Sequence, residues 1–194
     1  LAAHGIDPPY LLYVGTLLGR RHIDRLIGAF AEIAPEFESL TLVLVGANRL
    51  RDPGALAQWI RRAGVGKRVR LVGYVGDSLL PALYRNAELC YYLSSYEGFG
   101  LPPLEALASG TPVVVSDGLA LDDLWPDYPY RCVEPSVASI AGATRRLLVD
   151  VLSVDGGAEH PLLREGRTRV RQLSWRRTAD TFLREVARAV ADAG

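Results

Sequence analysis

Two carboxylates, Glu97 and Glu105, stand with seven residues between them, and that interval holds Gly98, Gly100, Pro102 and Pro103. An apolar segment, Leu89 to Leu93, runs into this turn, and a second begins at Pro112. The pattern predicts strand, loop, helix, strand. Proline is tolerated in the first turn of a helix, whose N–H groups lack intrahelical partners, so Pro102 and Pro103 mark where the helix begins. Gly98 and Gly100 let the backbone approach a ligand closely, and the free amides at the positive end of the helix make an anion site. One acid precedes that helix and the other lies within it.

The elements that position this stretch alternate along the chain. Tyr10-Leu11-Leu12-Tyr13-Val14 is a continuous apolar run of strand length, of the kind covered on both faces. A loop from Gly15 and Thr16 to Arg20, Arg21 and His22 follows, then a helix with Ile23, Leu26, Ile27, Phe30 and Ala34 on one stripe. Leu40 to Val45 reads as a second strand, Ala55 to Arg62 as a helix ended by Gly64 and Gly66, and Val69 to Val72 as a third strand. Asp77 or Ser78 is expected to cap the next helix, with Leu79, Leu80, Leu83, Tyr84 and Ala87 as its apolar positions. Strands alternating with helices at this spacing predict an α/β fold with a doubly wound parallel sheet of about six strands. Ligands of such sheets bind beyond the carboxyl ends of the strands. Gly15-Thr16, Gly46, Gly73 and the Glu97 loop all fall there. Farther on, Ser116 to Pro129 is polar, Tyr130 to Val133 reads as a sixth strand, and Ser139 to Asp150 as a helix. A loop at Val154 to Glu159 and helices over Pro161 to Gln172 and Trp175 to Ala193 close the chain.

Composition narrows the class. With 194 residues, 49% hydrophobic and 23% charged, the chain suits one well-buried globular domain. Lys+Arg 22 balance Asp+Glu 22, so no global field draws nucleic acid or anionic lipid. The basic groups Arg61, Arg62, Lys67, Arg68 and Arg70, and those from Arg164 to Arg171, alternate with apolar residues without an aromatic platform, which reads as a solvated face. No run approaches the ~18 apolar residues of a membrane helix, and no signal peptide opens the chain. Cys90 and Cys132 lie in strand-like segments and read as buried thiols of a reducing compartment, not as metal ligands. The absence of methionine points to a fragment of a longer protein.

The run Tyr96-Glu97-Gly98-Phe99-Gly100-Leu101-Pro102, continued by Leu104-Glu105-Ala106-Leu107-Ala108 and Gly110-Thr111-Pro112-Val113-Val114, resembles the Glu-x7-Glu signature of retaining, nucleotide-sugar-dependent glycosyltransferases of family 4, or group 1. Ser174-Trp175-Arg176-Arg177-Thr178-Ala179 resembles that family's closing helix. The resemblance implies the Rossmann-like C-terminal half of a GT-B glycosyltransferase. Residues 1–9 are then a linker remnant, 10–150 the core and 151–194 the C-terminal helices, with an N-terminal acceptor domain absent. It implies a hexose moved from GDP-mannose or a UDP-sugar to an acceptor hydroxyl, with no cofactor and no obligatory metal.

By the same resemblance, Arg20 and Arg21 look like the family's Arg-Lys pair at the diphosphate. Arg21 stands in place of lysine and alters reach and hydrogen-bond geometry. His22 takes a position usually held by glycine or asparagine, and no role is assigned to it. Glu97 is implied at the donor sugar's hydroxyls, Glu105 at the ribose, the amides of Phe99, Gly100 and Leu101 at the diphosphate and sugar, and Tyr74 and Val75 at the base. From Ser116 to Pro135 the chain departs from the family's pattern, and no functional residue is carried over there. Tyr13 to Leu17 with Gly73-Tyr74-Val75 looks most like mannosyltransferase-type members, a lean toward GDP-mannose. The implied location is cytoplasmic, or peripheral at a membrane in the full-length protein. Other readings stay open: a non-catalytic nucleotide-binding module, or an epimerase or phosphorylase of the same architecture. A Schiff-base phosphorylase would need Lys67, far from the motif loop.

Overall fold

The computed structural model describes residues 1–118, 121–152 and 160–192. The chain runs β1 (Tyr10–Val14), α1 (Ile23–Ile33), β2 (Thr41–Val45), α2 (Ala55–Arg62), β3 (Val69–Gly73), α3 (Leu80–Arg85), β4 (Leu89–Tyr92), α4 (Leu101–Ala108) and β5 (Val113–Ser116). It continues with α5 (Leu121–Leu124), β6 (Arg131–Cys132), α6 (Val137–Leu152), α7 (Pro161–Val170) and α8 (Trp175–Asp192). The six strands form one sheet in the order β3-β2-β1-β4-β5-β6, and every pairing is parallel. This is the doubly wound Rossmann-like arrangement, whose order reverses between β1 and β4.

The central strands are buried and nearly all apolar because helices cover both faces, while the edge strands β3 and β6 carry Arg70 and Arg131. All five residues of β1 and all four of β4 and of β5 are buried. On α1, Ile23, Leu26, Ile27, Ala29, Phe30 and Ile33 line the buried stripe, and α1 packs against α2 and α6. Helix α4 packs against α3 and α7. Registers are continuous at the centre of the sheet: Leu11 pairs with Leu89, Leu12 with Cys90 and Tyr13 with Tyr91. Both cysteines are buried free thiols.

Several expectations are corrected. Neither Asp77 nor Ser78 caps α3: the helix starts after Leu79 with no side-chain cap, and Pro81 in its first turn sets the start. Gly64 ends α2, but Gly66 opens a short 3-10 turn instead of terminating anything. The polar stretch after β5 contains the short helix α5, and β6 shrinks to two residues. The expected loop at Val154 to Glu159 and residue Ala193 lie outside the described residues.

Arg68 is no solvated cation. Its Nε and Nη2 donate to the Leu40 carbonyl at 2.9 and 2.7 Å, its Nη1 donates to the Ala34 carbonyl at 2.7 Å, and Nη2 also donates to the Phe37 carbonyl. With its guanidinium 5.3 Å from the centre of the Phe30 ring, it ties the end of α1 to the entry of β2. Arg169 similarly donates to the Leu124 carbonyl at 2.9 Å and lies 4.9 Å from the Trp125 ring.

Helix α8 differs from the others. It carries no buried residue, and Trp175, Phe182, Leu183, Val186 and Val190 are all exposed. No described helix is long and apolar enough to cross a membrane.

Candidate active site

The crevice between the carboxyl ends of β1 and β4 is the point where the strand order reverses, the usual ligand position in open α/β sheets. Two loops meet there. From the β1 side come Gly15, Thr16 and a 3-10 turn at Gly19–Arg21, and from the β4 side comes the loop Leu93 to Gly100. They are laced together: the Ser95 amide donates to the Arg20 carbonyl at 3.0 Å, Arg20 Nε donates to the Tyr96 carbonyl at 3.2 Å, and His22 Nε2 lies 2.8 Å from Ser95 Oγ. His22 adopts φ 50, ψ 38, a left-handed geometry that glycine and asparagine take most readily, which accounts for the residue types seen at this position in the resemblance.

At the centre is an ion pair. Arg21 Nε donates to Glu97 Oε1 at 2.8 Å, and Arg20 Nη2 lies 3.5 Å from the same oxygen. The side chains of Arg21 and Glu97 are 14% and 10% exposed, whereas Arg20 is 44% exposed and retains N–H groups for a ligand. Burial alone would raise the Glu97 pKa. Hydrogen bonds from Arg21 and Ser94 and the charges of both arginines outweigh it, holding the carboxyl below its ordinary value. Arg21 also interacts electrostatically with Tyr13, whose hydroxyl donates to the Thr16 carbonyl at 3.2 Å, and its guanidinium lies 5.8 Å from the centre of the Tyr92 ring. A β-carbon at Gly15, where φ is 145°, would fall 2.2 Å from Arg21 Nη1, so the guanidinium needs glycine beneath it.

Gly100 precedes α4 with φ 82, and a β-carbon there would meet Tyr92 Cε1 at 3.0 Å. The two prolines in the first turn begin the helix at Leu101 as expected. Among the described residues none accepts a hydrogen bond from the amides of Phe99, Gly100 or Leu101. These orphan donors, at the positive end of a helix and beside two guanidinium groups, can hold an anion such as a diphosphate.

Glu105, one turn along α4, is exposed, and its Oε2 accepts from the Tyr84 hydroxyl at 2.9 Å. Burial first, then the nearby Cys90 and Glu105, push the Tyr84 pKa well up, so it stays a donor. Tyr92 interacts electrostatically with Glu97 and with Tyr84. Burial, and next the Glu97 charge, push its pKa up to about 12. Tyr74 and Val75 follow β3 at the same edge, Tyr74 81% exposed and Val75 buried. The structure thus brings Gly15, Thr16, Arg20, Arg21, Glu97 and Gly98 to Leu101 into one crevice, with Glu105 farther along α4 and Tyr74-Val75 two strands away. Sequence reasoning missed Tyr13, Tyr84, Tyr92 and Ser94. The only available signal was their position at strand ends and on the helix preceding the motif.

A Rossmann-like α/β domain that takes its ligand at the switch point is the class that this sheet and edge define. Descent narrows that class: a family model described as "Glycosyl transferases group 1" matches residues 2–151, so the protein is a member of the group 1 glycosyltransferases. It is 32% identical over 166 residues to O-antigen chain mannosyltransferase B of Escherichia coli, covering 86% of this chain and 42% of that protein. It is 28% identical over 183 residues to the GDP-mannose-dependent alpha-(1-6)-phosphatidylinositol dimannoside mannosyltransferase of Mycobacterium tuberculosis, covering 93% of this chain and 45% of that protein. Sucrose-phosphate synthase from Thermosynechococcus elongatus superposes on all of the chain and 48% of its own, with a TM-score of 0.76 and 29% identity. The chain therefore spans less than half the length of these relatives.

Proposed function

We propose that this chain is the donor-binding half of a retaining glycosyltransferase that moves a hexose from a nucleoside diphosphate sugar to an acceptor hydroxyl. The observation that carries this reading is the Glu97 carboxylate held on Arg21 and Arg20 beside the free amides that open α4. Breaking the bond between the anomeric carbon and the β-phosphate oxygen sends the electron pair to the diphosphate, whose growing charge needs fixed cations and oriented amides. Arg20, with N–H groups to spare, and the Phe99, Gly100 and Leu101 amides meet that charge, and Arg21 shares it with Glu97. No metal is invoked. The acceptor oxygen attacks the same face as the leaving group departs, and its proton passes to the departing phosphate oxygen. Glu97 then serves position and electrostatics at the sugar hydroxyls, Glu105 receives the ribose hydroxyls, and the turn at Tyr74-Val75 holds the base.

The donor proposed first is GDP-mannose, supported by the names of the two mannosyltransferase relatives, with a UDP-hexose second. The remainder of the protein is proposed to supply the acceptor site and to cover the apolar face of α8, whose Trp175 is 90% exposed here. Thermal shift of the complete enzyme with GDP, UDP and their sugars tests the donor reading. A nucleotide at 100 times its dissociation constant stabilises by about 2.7 kcal/mol. A midpoint unmoved by every nucleotide removes the proposal.

A further inference from the structure

Besides the two arginines, Glu97 has a third partner, and it comes from its own loop. Ser94 follows β4 and is 2% exposed, and its amide donates to Ser116 Oγ at 3.1 Å. Ser116 ends β5 and is itself 2% exposed, so Ser94 is pinned to the neighbouring strand. The Ser94 hydroxyl lies 3.0 Å from Glu97 Oε1 and 3.0 Å from the Tyr96 carbonyl, and accepts from the Tyr96 amide at 3.4 Å. A hydroxyl has one proton to give, and an ionised carboxylate is the stronger acceptor of the two. Ser94, Arg21 and Arg20 thus converge on one oxygen of Glu97, from β4 and from the β1 loop, while Oε2 lies outside that cluster of three.

We infer that Ser94 is a positioning residue for the transfer: its buried hydroxyl commits Glu97 Oε1 to the framework and so presents Oε2 to the donor sugar. The inference rests on the reading of Glu97 given under the proposed function. A carboxylate on two arginines alone could swing with them when a diphosphate draws the guanidinium groups away. Ser94, fixed through Ser116, keeps the carboxylate in place at that moment. The titratable and charged groups facing Glu97 are Arg20 and Arg21 from the β1 loop, Tyr13 from β1 and Tyr92 from β4. Ser94 adds to them a neutral hydroxyl 3.0 Å from Glu97 Oε1. Its removal leaves the arginines in place but takes away one of the bonds that favour the ionised form.

The test uses the complete enzyme and the release of nucleoside diphosphate from GDP-mannose and from UDP-glucose. Ser94→Ala is expected to lower kcat about tenfold or more, the worth of a charge-assisted hydrogen bond, with KM for the donor changing less than about threefold. It should move the acid limb of the pH profile to higher pH, and Ser94→Thr should restore both. Glu97→Gln is the control for the underlying reading. Wild-type kcat in Ser94→Ala while Glu97→Gln is inactive overturns the role of Ser94 alone. Wild-type turnover in Glu97→Gln overturns the reading of Glu97 and the inference with it. Equal losses in the Ala and Thr variants, with matching drops in melting temperature, reduce Ser94 to packing and also overturn it. A readout independent of any donor is the melting temperature of the single and double variants. Shifts that fail to add support the Ser94–Glu97 coupling, and additive shifts refute it.

Discussion

Arg21 and Glu97 lie 76 positions apart in the chain and 2.8 Å apart in space. Each belongs to a loop that leaves a different central strand, so their contact measures whether β1 and β4 are correctly placed. Arg21→Lys keeps the charge but loses the fork that reaches Tyr13 and Glu97 together, and donor kcat/KM should fall about 10- to 100-fold. Because the folded carboxyl titrates below its ordinary value of 4.5, the stability it contributes is present above that pH and is lost as pH falls through the lower folded value. Acid unfolding curves of wild type and Glu97→Gln should therefore begin to approach each other as pH falls past about 4.5 and meet only below the lower folded value, where the native wild-type carboxyl is neutral too. Curves that stay parallel down through the transition would sink this account.

Glu105 is separated from the reacting end by a turn of helix and oriented by Tyr84. Glu105→Ala is expected to weaken GDP or UDP binding about 10-fold while leaving kcat at saturating donor within about threefold. Tyr84→Phe should produce a smaller loss of the same kind, since one hydrogen bond contributes about 1 kcal/mol. Calorimetric titration of both variants decides the matter, and unchanged affinity in Glu105→Ala would take the ribose role away from it.

Arg68 closes the Ala34 and Leu40 carbonyls at the α1–β2 junction. Arg68→Ala should destabilise the protein by about 2–4 kcal/mol, because several carbonyls lose a charged donor at once. Arg68→Lys should recover only part of that, lacking the planar fork. Urea unfolding midpoints give the comparison. Transfer by the surviving folded fraction should be unaltered, since Arg68 lies outside the crevice.

Four tyrosines, Tyr10, Tyr13, Tyr92 and Tyr130, have pKa values pushed up to about 12, burial being the first cause in each. The unfolded chain ionises these groups near 10 and the folded one does not. Their contribution is complete below pH 10 and is lost as pH rises toward 12. Stability should decline across that window, and the phenolate absorbance of these residues should appear together with unfolding. Full ionisation near pH 10 with the fold intact would contradict their burial.

The sheet and the motif were legible in the sequence because each rests on local signals. Buried parallel strands read as unbroken apolar runs, and the two prolines after Gly100 marked where α4 begins. What escaped depends on long-range contacts. Arg68 looked like one more surface arginine because its carbonyl partners lie 28 to 34 positions away. The pairing of Arg21 with Glu97, and the tyrosines beneath them, follow from strand order, which no local pattern encodes. His22 was left without a role since its bond to Ser95 spans 73 positions.

The pairing of Leu12 with Cys90 holds the two loop-bearing strands in step. A slip of a single residue there would carry Glu97 about 3.3 Å along the sheet and turn its neighbours to the opposite face. The innermost layer of the protein therefore acts as a ruler for its chemistry. Enlarging the Cys90 side chain, fully buried beneath the crevice, should therefore show itself in turnover as well as in resistance to heat.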